Sequence, residues 1–313
     1  TTNMSTSHIR NFAIIAHVDH GKSTLADRFL ELTGLVKHAQ SQTLDSNPIE
    51  KERGITIKLA PVTMHYQYQG EDYTLNLIDT PGHVDFSYEV NRALAACEGA
   101  ILLVDATQGV QAQTLAHFRQ AKSLNLKIIP VINKVDLQGA DVEGVLMQMI
   151  EVLELTDLDV AHISAKSGQG VLDLLIRVIN QVPPPSSGSD YTRALVFNSE
   201  YLHHQGVRAW VRVFDGTIPN NVSLTLLNSK QNTLSQEIGI YNLNSIPVST
   251  LQTGEVGYII TGLKDPHQVK IGDTLTLTQF AKQNILPLPG YKLPVPMVFV
   301  SLYPIDAGDF VNL

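Results

Sequence analysis

The sequence has one cysteine, few charged residues and no long apolar segment. A single cysteine, Cys97, excludes a disulfide within the chain and is typical of a reducing compartment. No apolar run reaches the roughly 18 residues that a membrane-spanning helix needs, and residues 1–10 lack the apolar core of a secretory signal. Charged residues make up 17% of the chain and its formal net charge is −8, which argues against broad nonspecific binding to nucleic acid, DNA included. These absences predict a globular, cytoplasmic protein that binds any polyanion through local basic patches.

Residues 16–23 have the pattern of a loop that binds phosphate groups. This segment, A-H-V-D-H-G-K-S, lies between an apolar run and a helix-like run. In a strand–loop–helix of this kind, backbone N–H groups and the helix N-terminus face a polyphosphate. Lys22 would add a positive charge over the β and γ phosphates, and Ser23 would offer its hydroxyl to Mg²⁺. Ala16 replaces the first glycine of the usual pattern, which is tolerated if its φ is negative. The residues assigned to this phosphate site are Asp19, His20, Gly21, Lys22, Ser23 and Thr24.

A second motif, at residues 133–136, predicts which base is bound. Asn133-Lys134-Val135-Asp136 follows an apolar run that ends at Ile132. Guanine presents N1–H and N2–H₂ side by side, and the carboxylate of Asp136 can accept from both. Adenine has no such pair of donors, so ATP would leave a buried carboxylate unpaired, at a cost on the order of several kcal/mol. Asn133 would hold N7 and the loop, while the stem of Lys134 would lie over the ring. The nucleotide is therefore expected to be GTP or GDP.

Three further segments occur in the order that a GTP-hydrolysing protein needs. Asp79-Thr80-Pro81-Gly82-His83 follows an apolar strand, so Asp79 can reach Mg²⁺ through water and the Gly82 N–H can bond the γ-phosphate. Thr56 can supply a second hydroxyl to Mg²⁺ while the γ-phosphate is present. The turn Ser164-Ala165-Lys166 suits a backbone N–H that donates to guanine O6. The predicted metal ligands are Ser23, Thr56 and Asp79.

These motifs together resemble those of the translational GTPases, and within that class the LepA-type factors. The supporting segments are A-H-V-D-H-G-K-S-T-L, E-R-G-I-T-I-K, D-T-P-G-H-V-D-F-S-Y-E-V, N-K-V-D, A-A-C-E-G-A and P-M-V-F-V-S-L-Y-P-I-D. The resemblance covers residues 9–313, which is near half of the family's length. It implies a cytoplasmic, monomeric, ribosome-stimulated GTPase that contacts ribosomal RNA and tRNA-bearing ribosomes. When full length, such a factor promotes back-translocation of tRNA and translational fidelity.

The same resemblance implies roles for individual residues. His83 would orient the attacking water, and Val18 and Ile55 would flank it as an apolar gate. With Lys22 and Thr56, His83 completes the predicted catalytic set. Asp19 either holds a monovalent cation beside the phosphates or is a carboxylate satisfied within its loop. The family also implies peripheral association with the cytoplasmic face of a membrane.

Alternation of apolar strands with helix-period segments predicts an α/β fold for residues 1–185. We expect a mostly parallel, doubly wound sheet, because helices must cover both of its faces. The predicted strands are Asn11–His17, Ile57–Tyr68, Tyr73–Asp79, Ala100–Asp105, Lys127–Ile132 and Val160–Ile163. The predicted helices are Lys22–Gly34, Val84–Cys97, Gln111–Asn125, Asp141–Leu153 and Val171–Val182. Every motif then falls at the carboxyl ends of strands, where such sheets bind nucleotides.

A Pro- and Ser-rich stretch, 183–189, ends this pattern and predicts a linker. Residues 186–287 change to strict alternation, with Val207, Ala209, Val211 and Val213 facing one way, which favours a small all-β barrel. On the opposite side, Trp210 is interpreted as a packing residue and not as a platform for a base. Residues 288–313 would open a third domain and stay loosely ordered.

Two other functions are compatible with parts of this pattern. The chain could bind GTP and occupy a ribosomal site without turnover, which a phosphate-release assay would separate from hydrolysis. An ATP-using metabolic enzyme is opposed by both N-K-V-D and D-T-P-G-H. His17 and His20 are expected to be hydrogen-bonding residues of the loop, while Arg53 and Arg92 are expected at the surface. The basic cluster Lys51, Arg53 and Lys58 is either a contact patch or a solvated face.

Overall fold

The computed structural model describes residues 6–37, 43, 61–81, 86–154, 160–186, 191–288 and 301. Within these ranges the first half of the chain forms a six-stranded sheet flanked by helices. Its strands are β1 (Ile9–Ala16), β2 (Pro61–Tyr68), β3 (Glu71–Ile78), β4 (Gly99–Asp105), β5 (Lys127–Asn133) and β6 (Ala161–His162). The helices are α1 (Lys22–Leu32), α2 (Ser87–Ala95), α3 (Ala112–Ser123), α4 (Val142–Leu153) and α5 (Val171–Gln181).

The sheet has the strand order β2-β3-β1-β4-β5-β6, and each pair is parallel except β2 with β3. Strands β1 and β4 are buried along their whole length, which explains the apolar runs Phe12–Ala16 in β1 and Ala100–Val104 in β4. One core cluster fills the face covered by α1 and α5, and a second fills the face covered by α2, α3 and α4. The predicted doubly wound α/β fold is therefore confirmed. The antiparallel β2 adds an edge strand through a tight turn at Gln69 and Gly70, both of which have positive φ.

In its described part, the second half of the chain consists of β-strands, turns and a short 3-10 helix, Pro266–Gln268. Its strands are β7 (Arg193–Leu202), β8 (Gly206–Asp215), β9 (Thr217–Pro219), β10 (Ser223–Leu226), β11 (Gln231–Leu234), β12 (Glu237–Tyr241), β13 (Ser245–Pro247), β14 (Thr250–Gln252), β15 (Val256–Ile260) and β16 (Thr274–Leu277). Eight of them form a sheet of order β11-β10-β16-β7-β8-β15-β12-β13, and β9 pairs with β14 beside it. Both ladders enclose one apolar core, to which β9 contributes Ile218 and β14 contributes Leu251. The predicted all-β unit is confirmed.

Alternation along β8 divides its side chains between two different buried surfaces. Val207, Ala209 and Val211 point into the core of the β-rich unit. On the opposite face, Trp210 is 4% exposed and belongs to the core cluster that includes residues of α2 in the first unit. Trp210 therefore packs between the two units, as a packing residue, with Tyr241 and Tyr258 in edge contact.

A buried polar chain also joins the two units. Arg212 on β8 lies 1% exposed and forms an ion pair with Glu98, with 2.6 Å between Nη2 and Oε1. The amide of Asn11 on β1 donates both to Glu98 Oε2 and to the carbonyl of Gly254, at 3.0 Å each. Burial lowers the pKa of Arg212 and raises that of Glu98, and each shift is opposed by the charge of the other residue.

Several predictions about individual elements are refined by the structure. Cys97 is buried, and burial raises the pKa of its thiol. The strands β7, β9, β11, β13 and β14 were not predicted, and the last four of these have only three or four residues, which carry little periodicity. No helix in the described part of the chain is long and apolar enough to cross a membrane. The greater part of the predicted third domain, residues 289–300 and 302–313, lies outside the described residues.

Replacing Glu98 with alanine is expected to destabilise the protein by about 3–5 kcal/mol, because it leaves the Arg212 guanidinium buried without its carboxylate. Urea unfolding of the purified chain measures the change. The double variant Glu98→Ala, Arg212→Met should recover most of the loss. As a control, Glu71→Ala removes the 62% exposed partner of His8 and should cost less than about 1 kcal/mol. Equal losses for the two alanine variants would contradict the assignment of Glu98 as a buried partner.

Candidate functional site

The phosphate-binding loop lies between β1 and α1, at the carboxyl edge of the sheet. Ala16 ends β1 in extended conformation, paired with Leu103, so its Cβ is accommodated as the sequence required. Gly21 precedes α1 with a φ of +96°, and a Cβ at this position would lie 2.4 Å from the side-chain nitrogen of Asn133. Glycine is thus needed here for both its backbone angle and its size. The N-cap of α1 is Gly21, which has no side chain that could cap the first turn, and backbone N–H groups at a helix N-terminus are suited to bind an anion.

Lys22 and Asp79 meet at the centre of the predicted phosphate and metal site. The Lys22 ammonium lies 2.8 Å from Asp79 Oδ1, and both side chains are buried. The same oxygen accepts from the backbone N–H of Thr80, whose hydroxyl donates to the carbonyl of Ile14. Asp79 is therefore fixed by β1 and by its own turn. Ser23, half-buried, and Thr24, exposed, follow Lys22 on the first turn of α1.

Asn133 connects three loops at the end of β5. Its Nδ2 donates to the carbonyl of His20 at 2.8 Å, and its Oδ1 accepts from the backbone N–H of Ala165 at 2.9 Å. The side chain is 1% exposed. Asn133 therefore holds the phosphate loop and the turn Ser164-Ala165-Lys166 together, in keeping with the loop-holding part of its predicted role.

Lys134 makes a second connection to the phosphate loop. Its ammonium donates to the carbonyl of Asp19 at 2.6 Å and lies 2.7 Å from Asp105 Oδ2. Asp136 is exposed on the same turn. One cavity of about 290 Å³ is lined by two of the predicted phosphate-loop residues, by the predicted base residues and by part of the turn at 164–166, and its lining is Gly21, Thr24, Asn133, Lys134, Asp136, Leu137, Ala165 and Lys166. Motifs separated by more than one hundred residues are thus brought to one opening.

His20 is a completely buried member of the phosphate loop. Its Nδ1 accepts from the backbone N–H of Asp105 at 3.2 Å, and its ring makes an edge contact with His17. Burial lowers the pKa of His20 to about 4, helped by the neighbouring His17 and opposed by Asp105. The imidazole is therefore neutral at physiological pH, and it serves as a hydrogen-bonding residue of the loop, as expected.

Some predicted site residues fall where the structure gives no description, and some site residues were not predicted. Thr56, Gly82 and His83 lie outside the described residues, as do Arg53 and Ile55. Leu137 and Asp105 were missed by the sequence analysis. Asp105 ends the apolar strand β4 at the same edge as the motifs, and an acidic residue in that position was the available signal.

The comparisons with known proteins agree with this geometry. A family model described as the elongation factor Tu GTP binding domain matches residues 7–184. The chain belongs to the elongation factor Tu GTP-binding domain family. Within this family it is 52% identical over 311 residues to Elongation factor 4 of Protochlamydia amoebophila (strain UWE25), which covers 98% of this chain and 51% of that protein. It is 47% identical to the chloroplastic translation factor GUF1 homolog of Vitis vinifera, over 98% of this chain and 45% of that protein.

These relatives confirm the predicted resemblance to LepA-type translational GTPases. The chain spans about half the length of the curated relatives it matches. Among solved structures, a bacterial selenocysteine-specific elongation factor superposes with a TM-score of 0.69 at 24% identity, over 86% of this chain and 44% of the other. A protein of Thermus thermophilus superposes with a TM-score of 0.81 at 20% identity, over 98% of this chain and 59% of the other. At such identities the two structures support the fold.

The buried His20 makes stability depend on pH in this family member. Its pKa is about 6.5 in the unfolded chain and about 4 when folded, so the folded state binds fewer protons between these values. The free energy of unfolding should therefore fall as the pH is lowered from about 6.5 towards about 4, by at most about 3 kcal/mol from this residue. His20→Asn keeps an acceptor for the Asp105 N–H and should flatten the profile, measured by urea unfolding from pH 4 to 8. His162→Asn, which removes an exposed imidazole, should leave the profile unchanged; a profile unaltered by His20→Asn would contradict the assignment.

Proposed function

We propose that this chain binds GTP and GDP, hydrolyses GTP with Mg²⁺, and does so as part of a ribosome-binding translation factor of the LepA type. The carrying observation is the cavity that joins the phosphate loop to N-K-V-D and to the turn of residues 164–166. A phosphate-binding loop alone serves many nucleotides, whereas its conjunction with a carboxylate beside the base site selects guanine.

Base selection follows from the groups that line this cavity. Asp136 would accept from N1–H and N2–H₂ of guanine, and Asn133 would face N7. The backbone N–H of Ala165 already donates to Asn133, so we assign the donor to guanine O6 to the neighbouring N–H of Lys166. The aliphatic stem of Lys134, whose ammonium is held at the phosphate loop, would cover one face of the ring.

The residues around Lys22 fit a magnesium ion in their donor chemistry. A serine hydroxyl and an aspartate carboxylate are the hard oxygen ligands that Mg²⁺ prefers, together with phosphate oxygens and water. In the described part of the chain no three His, Cys, Asp or Glu side chains gather to hold a metal, so phosphate and water oxygens would complete the ligand set. We propose Ser23 and Thr56 as direct ligands and Asp79 as a ligand through water. When bound, the ion would neutralise charge on the β and γ phosphates.

Hydrolysis requires positioning and charge stabilisation more than covalent chemistry. We assign Lys22 to the β and γ phosphates, which requires that its ammonium exchange Asp79 for a phosphate oxygen. The Gly82 N–H would bond the γ-phosphate, and His83 would orient the attacking water. A monovalent cation beside Asp19 stays a prediction of the family resemblance.

The biological task is part of the same proposal. The name Elongation factor 4 supports a role in translation, and we propose that the whole factor acts on cytoplasmic ribosomes, through ribosomal RNA at the factor-binding site and tRNA-bearing complexes. Back-translocation, fidelity, a monomeric state and membrane association belong to the whole factor. Phosphate release from GTP and from ATP, with and without 70S ribosomes, tests the proposal. Stimulated release from GTP alone supports it, and GTP binding without release would favour a non-enzymatic module.

Asp136→Asn is expected to shift preference from GTP towards xanthosine triphosphate, because the new amide would face a guanine donor with its own donor. GTP affinity should fall at least tenfold, equivalent to ~1.4 kcal/mol. Calorimetric titration with both nucleotides measures the shift, and Asp173→Asn, an exposed acid on α5, is the matched control. Unchanged GTP affinity in the Asp136 variant would refute the base assignment.

His83→Ala is expected to retain GTP binding and to lose ribosome-stimulated turnover. The imidazole should interact only with the water and the transition state, so its loss should lower kcat by at least ~10²-fold with little change in affinity. Single-turnover hydrolysis on ribosomes provides the measurement, and His162→Ala is the control. If stimulated hydrolysis persists at the wild-type rate, a different residue positions the water.

A further inference from the structure

Asp105 is a buried carboxylate at the nucleotide site to which the proposed function gives no role. It ends β4 directly beside Asn133, its partner in the β4–β5 register, and is 0% exposed. Its Oδ1 accepts from the backbone N–H and the hydroxyl of Thr107, both at 2.7 Å. Its Oδ2 lies 2.7 Å from the Lys134 ammonium and 3.3 Å from Nε2 of Gln108. The carboxylate is therefore surrounded by donors, of which Lys134 is the charged one.

The Lys134 ammonium is shared between Asp105 and the phosphate loop. Besides Asp105 Oδ2, it contacts the carbonyl oxygen of Asp19 at 2.6 Å. Lys134 and Asp19 each have a φ of +63°, a left-handed conformation that non-glycine residues adopt at a cost of roughly 1 kcal/mol. Such conformations persist when surrounding contacts determine them. The ammonium holds these two turns against each other, and Asp105 holds the ammonium.

The backbone around Asp105 makes connections to the same two loops. The Asp105 N–H donates to Nδ1 of His20 in the phosphate loop at 3.2 Å. The next N–H, that of Ala106, donates to the carbonyl of Asn133 at 2.8 Å. The end of β4 is thus hydrogen-bonded both to the phosphate loop and to residues 133–136, which we call the base-recognition turn.

The electrostatics of this arrangement favour a charged carboxylate. Burial raises the pKa of Asp105, but hydrogen bonds from Lys134 and Thr107 outweigh it, and the pKa lies below its ordinary value. A buried negative charge must be paired, because leaving it without a cation costs free energy. Lys134 supplies the positive charge, and the contact with Asp105 fixes the ammonium in place.

We propose that Asp105 is a positioning residue for guanine-nucleotide binding, whose carboxylate holds the Lys134 ammonium against the Asp19 carbonyl and so fixes the base-recognition turn relative to the phosphate loop. This inference rests on the proposed binding of guanine nucleotides. It assigns Asp105 no contact with the nucleotide. Its effect on binding is exerted entirely through Lys134.

Asp105→Asn tests this role with little change in shape. An asparagine oxygen can still accept from Thr107, whereas the amide removes the negative charge beside Lys134. Loss of one charge-assisted contact should weaken GDP binding about tenfold, measured by calorimetric titration. The ratio of GDP to xanthosine diphosphate affinity should not change, because Asp136 is untouched. Asp141→Asn, which retains an equivalent helix cap on α4, should bind GDP as the wild type does.

A double-mutant cycle separates positioning from a general structural role. In a Lys134→Met background, Asp105→Asn should cause no further loss of GDP affinity. If Lys134→Met alone fails to fold because it strands the Asp105 charge, the double variant should restore folding, seen as a cooperative urea transition. An Asp105→Asn variant that binds GDP like the wild type would overturn the inference, as would a tenfold loss that persists in the Lys134→Met background. Failure of the wild type to bind GDP would overturn both the proposed function and this inference, whereas the other two outcomes overturn only the latter.

Discussion

Parallel pairing of the central strands determines where the site residues lie. The register sets Ala16 of β1 beside Leu103 of β4, and Asp105 of β4 beside Asn133 of β5. Parallel strands end at the same edge of a sheet, so the loops that follow them lie close together even though they are far apart in the sequence. The polar residues at these ends are then within reach of each other, and the buried strands behind them prevent the loops from separating.

Buried charge is the second constraint on the site. Lys22 and Lys134 each have a carboxylate partner in the protein, Asp79 for Lys22 and Asp105 for Lys134. An unpaired ammonium at these positions would lose its hydration without compensation. For Lys22 the proposed phosphate contact replaces the existing ion pair with Asp79. The net contribution of Lys22 to binding is therefore the free energy of the phosphate contact minus that of the lost ion pair. Lys134 keeps its partner throughout, which suits a residue that orients a loop.

The sequence predicted those parts of the site that are encoded locally. Gly21, Lys22 and Ser23 form a contiguous motif on a strand–loop–helix, and N-K-V-D marks the end of a strand, so both could be recognised without a structure. The apolar runs within β1, β4 and β5 likewise predicted the central sheet, because strands covered on both faces are rich in apolar residues.

The remaining features depend on residues far apart in the chain. The contact of Asp105 with Lys134 joins two strand ends, and no local pattern distinguishes it from an ordinary turn residue. The same holds for Arg212, whose place in the alternation of β8 predicted its side of the strand but not that Glu98 and Asn11 would cover it. The strands β9 and β13 are three residues each and are formed by tertiary pairing more than by propensity.

The contacts that join the two units, around Glu98 and Trp210, lie away from the nucleotide cavity, but they are close to α2. Asn11 is near the start of β1, so its contacts with Glu98 and Gly254 lie about 16 Å from the phosphate loop along that strand. These two contacts therefore involve no residue of the cavity lining. Glu98 closely follows α2, and the aromatic face around Trp210 shares a core cluster with Val90 and Leu94 of the same helix. The apolar contact thus attaches the β-rich unit to α2, the helix that follows the D-T-P-G-H segment, and the ion pair attaches it three residues beyond the end of that helix, so any displacement of α2 would affect both contacts.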